Sequence, residues 1–388
     1  MLTVTILLVI AGIAQASPIY SSNGVGALQP DEIGWTKAMG GAGIANADGE
    51  NTMLRNPALM AAFTRYTFSF GINHARNTTF SGDSSAPGFA QTNVEHFKMV
   101  LPVRKGFALG WTVAPLSRSN SVIEFSGDGF TDEVVYTGGI NVSSVSFAGS
   151  FRDFLRMGAS INYNFGTVEQ GWERGFGTEG LYDSLDFIKS KYKGYNYTFG
   201  VITKIMYDTS FALAYNTKSD LDHSLRIKPG GYSNPESVLA TGTARIPESM
   251  TAGLSRAFGK FTANADFSMS KWEDAAITDL ERVMYTDTNY FTCGIKYTPV
   301  NRLGTALPFY RKIPLAVGFK TGNLYYKSFP KVDTVTETAV TFGFGIPFLD
   351  DEASLVTSIE IGSRGDKGKN GWEESYINVG FLVSGLIK

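Results

Sequence analysis

The run Leu155-Arg156-Met157-Gly158-Ala159-Ser160-Ile161-Asn162-Tyr163-Asn164-Phe165 places an apolar side chain at every odd position and Arg, Gly, Ser or Asn between them. A period of two reads as a β-strand with one apolar and one small polar face. The unit recurs in both directions. Tyr66, Phe68, Phe70 and Ile72 alternate with Thr67, Ser69, Gly71 and Asn73, and Phe261, Ala263, Ala265, Phe267 and Met269 alternate with Thr262, Asn264, Asp266, Ser268 and Ser270. Ile377, Val379, Phe381 and Val383 close the series near the C-terminus. About fourteen strands are predicted, at approximately 65–75, 92–102, 107–117, 140–152, 155–168, 193–206, 209–226, 247–258, 261–272, 284–299, 312–325, 336–346, 353–363 and 374–386. Their connections alternate between mostly tight turns, such as Val103–Gly106 and Gly259–Lys260, and mostly long polar stretches at 76–91, 118–139, 169–192 and 227–246. A chain shuttling across a bilayer, with short turns on one side and long loops on the other, produces that asymmetry.

The composition excludes other classes. Among 388 residues, 34 Lys and Arg balance 36 Asp and Glu, so the phosphate-neutralising patch of a nucleic-acid protein is not expected. Cys293 is the one cysteine, which rules out a disulfide framework within the chain. Catalysis is not expected either: the three histidines His74, His96 and His223 fall apart along the chain, and Gly40, Gly41 and Gly43 lack the preceding strand of a phosphate-cradling turn. No cofactor and no metal are expected. Instead, 43 Gly, 28 Phe and 18 Tyr accompany only 18% charged residues, the mixture of a membrane β-barrel. At the N-terminus, apolar Leu2–Ala14 followed by Ala14-Gln15-Ala16 reads as a signal peptide over 1–16.

Closing such a sheet satisfies every backbone donor and acceptor in a solvent that offers none. The expected fold is therefore all-β, a transmembrane antiparallel barrel over 64–388. Its alternation phase points Lys98, Lys204, Lys296 and Lys320 into the lumen, the cheaper face, because a lysine toward lipid costs roughly 2–4 kcal/mol. They are candidates for meeting a carboxylate on a ligand, or for ion pairs with wall residues such as Asp266 and Glu360. Glu360, Gly362 and Arg364 share the lumen phase, and Cys293 shares the lipid phase with Phe291.

Residues 17–63 lack the period and are rich in small residues, which allow backbone to lie close against a wall. Asn56 before Pro57 is a helix start, predicting a short helix Pro57–Ala62. The run Ala38-Met39-Gly40-Gly41-Ala42-Gly43-Ile44-Ala45-Asn46-Ala47-Asp48, then Arg55-Asn56-Pro57-Ala58-Leu59-Met60, entering the first strand at Tyr66–Gly71, resembles the hatch and first strand of the FadL/TodX family of outer-membrane transporters. The hatch residues that carry it are Gly40, Gly41, Gly43, Asn56, Pro57 and Ala58. Weaker similarity runs through Leu101-Pro102, Val145–Tyr163 and Glu360–Gly365.

The resemblance implies a fourteen-stranded barrel plugged by a hatch over 17–63 and passive uptake of long-chain fatty acids or aromatic hydrocarbons. It also implies outer-membrane lipid, a hydrophobic small-molecule ligand and the barrel-assembly machinery as partners. A kink in the family's third strand opens the wall sideways. Here Pro115, which cannot donate a ladder hydrogen bond, makes Ala114 and Pro115 the candidate lateral gate. In loop 169–192, Leu181, Leu185 and Ile188 sit at i, i+4 and i+7, predicting a short amphipathic helix that either forms an external capture site with Trp172, Phe176 and Phe187 or packs on the barrel rim. Two features depart from the family: Ser17–Ile33 is a long lead before the glycine-rich run, and the chain ends Gly385-Leu386-Ile387-Lys388 without a terminal aromatic. Rival readings are a FadL-like scaffold for protein secretion or surface attachment and a general diffusion porin.

Overall fold

The computed structural model describes residues 19–29, 32–50, 54–81, 84–85, 89–127, 130–152, 154–176, 184–206, 208–229, 235–277, 283–299, 312–328, 332–348 and 352–387. The signal-peptide stretch 1–16 and Leu181 lie outside them.

Fourteen antiparallel strands form a closed barrel. They are β1 (Tyr66–Ser81), β2 (Phe89–Arg104), β3 (Phe107–Pro115, resuming at Ser121–Gly127), β4 (Phe130–Phe151), β5 (Leu155–Phe176), β6 (Ser184–Met206) and β7 (Thr209–Asn216 with Ser219–Lys228). The remainder are β8 (Ser237–Ile246 with Ser249–Phe258), β9 (Phe261–Ser270), β10 (Thr288–Tyr297), β11 (Leu315–Lys327), β12 (Thr334–Phe348), β13 (Ala353–Gly365) and β14 (Glu373–Ile387). Each pairs with its neighbour, and β14 closes on β1 from Tyr66↔Ile387 to Phe80↔Glu373. Among the described residues, and apart from a break between β2 and β3, no sheet edge faces a solvent in which its amides would go unpaired.

The alternation reading holds in detail. On β5, Met157 and Ile161 are 54% and 49% exposed while Ser160 between them and Asn162 and Asn164 beyond them are buried. The apolar face is outside and the polar face inside, the reverse of a water-soluble core.

The strand ends differ from expectation. The stretches 118–139, 169–192 and 227–246, read as loops, are largely strand, because β4, β5 and β6 run 22, 22 and 23 residues. Spanning a bilayer takes about 9–11 residues, so these strands continue past the hydrocarbon as a ribbon. There the apolar period fades and charged pairs appear: Arg174 pairs with Asp132 at 2.5 Å and Lys189 with Glu169 at 3.1 Å. The predicted helix is therefore corrected, since Leu185 and Ile188 lie in β6.

Within the barrel sits the N-terminal segment. Helix α1 (Trp35–Ala38) and the 3-10 helix Pro57–Ala62 bury Met39, Ile44, Ala58 and Leu59 completely against the wall. Each large apolar side chain so buried contributes about 1.5–3 kcal/mol. Contact this close needs wall positions without side chains. Gly158 on β5 and Gly200 on β6 are cross-strand partners, and a Cβ at Gly158 would stand 2.5 Å from the Ala58 nitrogen. Gly294 and Gly318, paired across β10 and β11, receive Met39 in the same way.

Candidate functional site

The hatch-like residues hold one another and the wall. Gly40 and Gly41 adopt φ of 73° and 93°, a region open to glycine, and turn the chain so that their amides cap Lys37 and Thr36 carbonyls at 3.0 and 2.8 Å. The next turn presents the Gly43 and Ile44 amides to one oxygen of Asp266 on β9, at 2.7 and 2.9 Å. Asn56 caps the 3-10 helix by accepting from the Ala58 amide at 3.1 Å, and its own amide donates to the Ile44 carbonyl at 2.7 Å. Asp266 is thus a clasp on backbone amides rather than the lysine partner anticipated.

Three of the four candidate lysines face the lumen. Lys320 reaches Glu360 at 2.7 Å, with Glu32 at 3.9 Å and Glu337 at 4.0 Å. Lys296 meets Glu50 at 2.9 Å and lies over the Trp35 ring at 4.6 Å. Lys98 is buried near His96 and Ser69 beside a small cavity. Lys204 is corrected: it keeps the inward phase of buried Ile202, but it lies at the short-turn rim and is exposed. Arg364 bonds Glu337 at 2.7 Å and Glu374 at 3.3 Å, extending the ion network expected around Glu360.

Lys37 and Glu32 carry charge that the sequence reading missed. Lys37, on α1, donates to Glu95 at 2.6 Å and Asn73 at 3.0 Å. Burial pushes the Glu32 carboxyl above its ordinary range, and Lys320 only partly offsets this.

Between segment and wall lies a cavity of about 310 Å³. One side is a ladder of carboxamides and hydroxyls on β5, β6 and β7. Asn164 donates to Asn196 at 2.8 Å and to Ser219 at 3.1 Å, and Asn196 donates to Asn216 at 2.7 Å. Asn162 donates to Thr198 at 2.8 Å, whose hydroxyl donates to Asn216 at 2.8 Å. The Asn162 side-chain oxygen is buried and accepts no bond. The ion pairs of Lys37, Lys320 and Arg364 lie elsewhere on the lining, with Trp272 and Tyr325, their rings 4.3 Å apart, and Leu116.

Pro115 and Leu116 also line this cavity, at a break in the wall. The β2–β3 ladder ends at Phe97↔Val113, and among the described residues no ladder joins Phe89–Glu95 of β2 to β3. After Pro115 the chain turns inward, and Ser117–Arg118 pairs with Ala27–Leu28 of the N-terminal segment. Ser121–Gly127 then pairs with β4. Two side chains cross the gap: Arg118 donates to the Val94 carbonyl, and Asn120 to Gln91 at 3.3 Å. Pro115 therefore marks a strand end: Ala114 and Pro115 are the last residues of the unbroken run paired with β4, at Val142 and Asn141.

Of the residues expected to form a capture site, the described Trp172, Leu185, Phe187 and Ile188 do not share one face. Trp172 pairs with Asp186 and shares its face with Ile188, whereas Leu185 and Phe187 point to the other face, where Phe187 packs on Gly171. Phe176 closes β5 opposite Phe130.

A family model described as BamG matches residues 1–384. No curated protein matches the chain in sequence. Among solved structures, the Ralstonia pickettii toluene transporter TbuX is 17% identical with a TM-score of 0.60, over 92% of this chain and 98% of that one. The CymD monoaromatic hydrocarbon channel is 16% identical with a TM-score of 0.62, over 93% and 99%. A Pseudomonas aeruginosa FadL homologue is 12% identical with a TM-score of 0.64, over 92% and 98%. At such identities the likeness establishes the fold, a FadL-type barrel, in agreement with the distant resemblance read from residues 38–71. An apolar outer belt on that fold belongs in the bacterial outer membrane.

Proposed function

The chain belongs to the BamG family, and on that footing we propose that it is a passive outer-membrane conduit for small hydrophobic or amphiphilic compounds. Residues 17–63 act as its hatch, and the break beside Ala114 and Pro115 acts as its lateral exit. The observation that carries this reading is that Glu95, Pro115 and Leu116, which flank the unladdered gap in the wall, also line the cavity. The transporter and channel names of TbuX and CymD support the same class of cargo. Lys296 and Lys320 already face carboxylates, which favours uncharged cargo over a free fatty acid. The protein's role is passage, not catalysis.

The test is uptake of labelled toluene by cells expressing the chain or its Pro115→Val variant, which regains an amide donor at the gap. Uptake falls several-fold if the gap is the exit; unchanged uptake at equal membrane levels overturns that role. The family designation favours a second reading, association with the barrel-assembly machinery as a scaffold. On that reading the chain co-purifies with the machinery and Pro115→Val leaves both partner recovery and uptake unaltered.

A further inference from the structure

We infer that the cavity selects an uncharged amphiphile bearing several hydroxyl or N–H groups, and that the Asn162–Asn164–Asn196–Asn216 ladder reads those groups. This rests on the conduit reading and names the cargo class for it.

The first argument is donor accounting. A carboxamide offers two N–H donors and an oxygen with two lone pairs. The Asn164 amide spends both donors inside the ladder, on Asn196 and Ser219, and the Asn196 amide spends its own on Asn216 and the Thr217 carbonyl. The Asn216 oxygen already takes bonds from Asn196 and Thr198, while, among the described residues, its amide keeps both donors. The Asn196 oxygen, with one bond from Asn164, keeps a lone pair, and the buried Asn162 oxygen accepts no bond. A wall that offers both acceptors and donors is matched by hydroxyl groups, which do both without charge.

Charge supplies the second argument. On the cavity lining Lys37 is opposed by Glu95, Lys320 by Glu360 with Glu32 at 3.9 Å, and Arg364 by Glu337, while Arg55 donates to the Gly41 carbonyl at 3.2 Å. Away from Arg55, a carboxylate or phosphate ligand would have to break one of these pairs and leave a carboxylate of the wall unopposed.

The third is the apolar part of the lining. Trp272, Tyr325, Ile246 and Leu116 offer rings and aliphatic surface to the remainder of the ligand. A bare hydrocarbon would satisfy these and strip water from the ladder with no hydrogen bond in return. One end polar and one end apolar is the complement of this lining.

The experiment is equilibrium dialysis of the full chain in amphipol against three probes with a shared ring: phenyl β-D-glucoside, toluene and benzoate. The expected result is glucoside binding at least about tenfold tighter than either other probe, with Asn196→Leu reducing that ratio to about one. Toluene or benzoate binding as tightly as the glucoside, or a ratio unaltered in Asn196→Leu, overturns the inference. Should Asn196→Leu lose the heat-modifiable gel mobility of a folded barrel, the near-isosteric Thr198→Val takes its place, and the ratio must still fall. Parallel uptake separates the two claims. Glucoside bound but not taken up contradicts the conduit and leaves the cavity's selectivity standing; toluene taken up without preferential glucoside binding does the converse.

Discussion

Asp266 shows how one side chain can hold a whole segment. Its oxygen receives the Gly43 and Ile44 amides in a buried place where neither has a second partner among the bonds described. Removing it orphans two buried donors, each costing about 1–3 kcal/mol. Asp266→Ala is therefore expected to loosen the segment while leaving the wall intact. Trypsin should then cleave after Lys37 or Arg55 in folded protein, where the parent chain resists; equal resistance in the variant would remove Asp266 from this role. At this scale the sequence was only partly legible. Phase identified Lys296 and Lys320 as inward, because alternation is a local property. It could not tell that Asp266 would meet amides more than two hundred positions earlier, nor that Lys204, in the same phase, would emerge at the rim. Asn162 and Asn164 stood in the quoted polar set, yet their bonding across three strands depends on register, which one strand does not reveal.

Among the elements, the strands were read well where they cross lipid and poorly beyond it. β9 and β10, at 10 residues each, match the alternating runs because both lie within the apolar belt. β4, β5 and β6 outrun their apolar pattern because, outside the membrane, nothing selects for it. The helix expected through Leu185 and Ile188, which lie in β6, has the same origin: spacing of three and four residues arises by chance once period two lapses. Within the belt the physics is strict. Phe267 on β9 is outward, opposite Phe291 on β10. Phe267→Lys is expected to cost roughly 2–4 kcal/mol when the barrel refolds into lipid vesicles under urea titration. A cost near zero would mean that this face does not meet hydrocarbon.

For the molecule as a whole, an inverted shell and an inner segment explain one another. The polar lumen would be an open aqueous pore if empty, and the segment's buried Met39, Ile44 and Leu59 would have no place in water without it. Paired glycines in neighbouring strands, Gly158 with Gly200 and Gly294 with Gly318, make the wall flat where the segment lies. Those glycines were visible in the sequence, but their pairing was not. If the segment acts as a stopper in the closed cylinder, as proposed, the pore is sealed, and ion conductance in planar bilayers tests this most directly. The full chain should pass almost no current, while a chain lacking residues 17–62 should give large, steady pores. Equal, large conductance from both would contradict it.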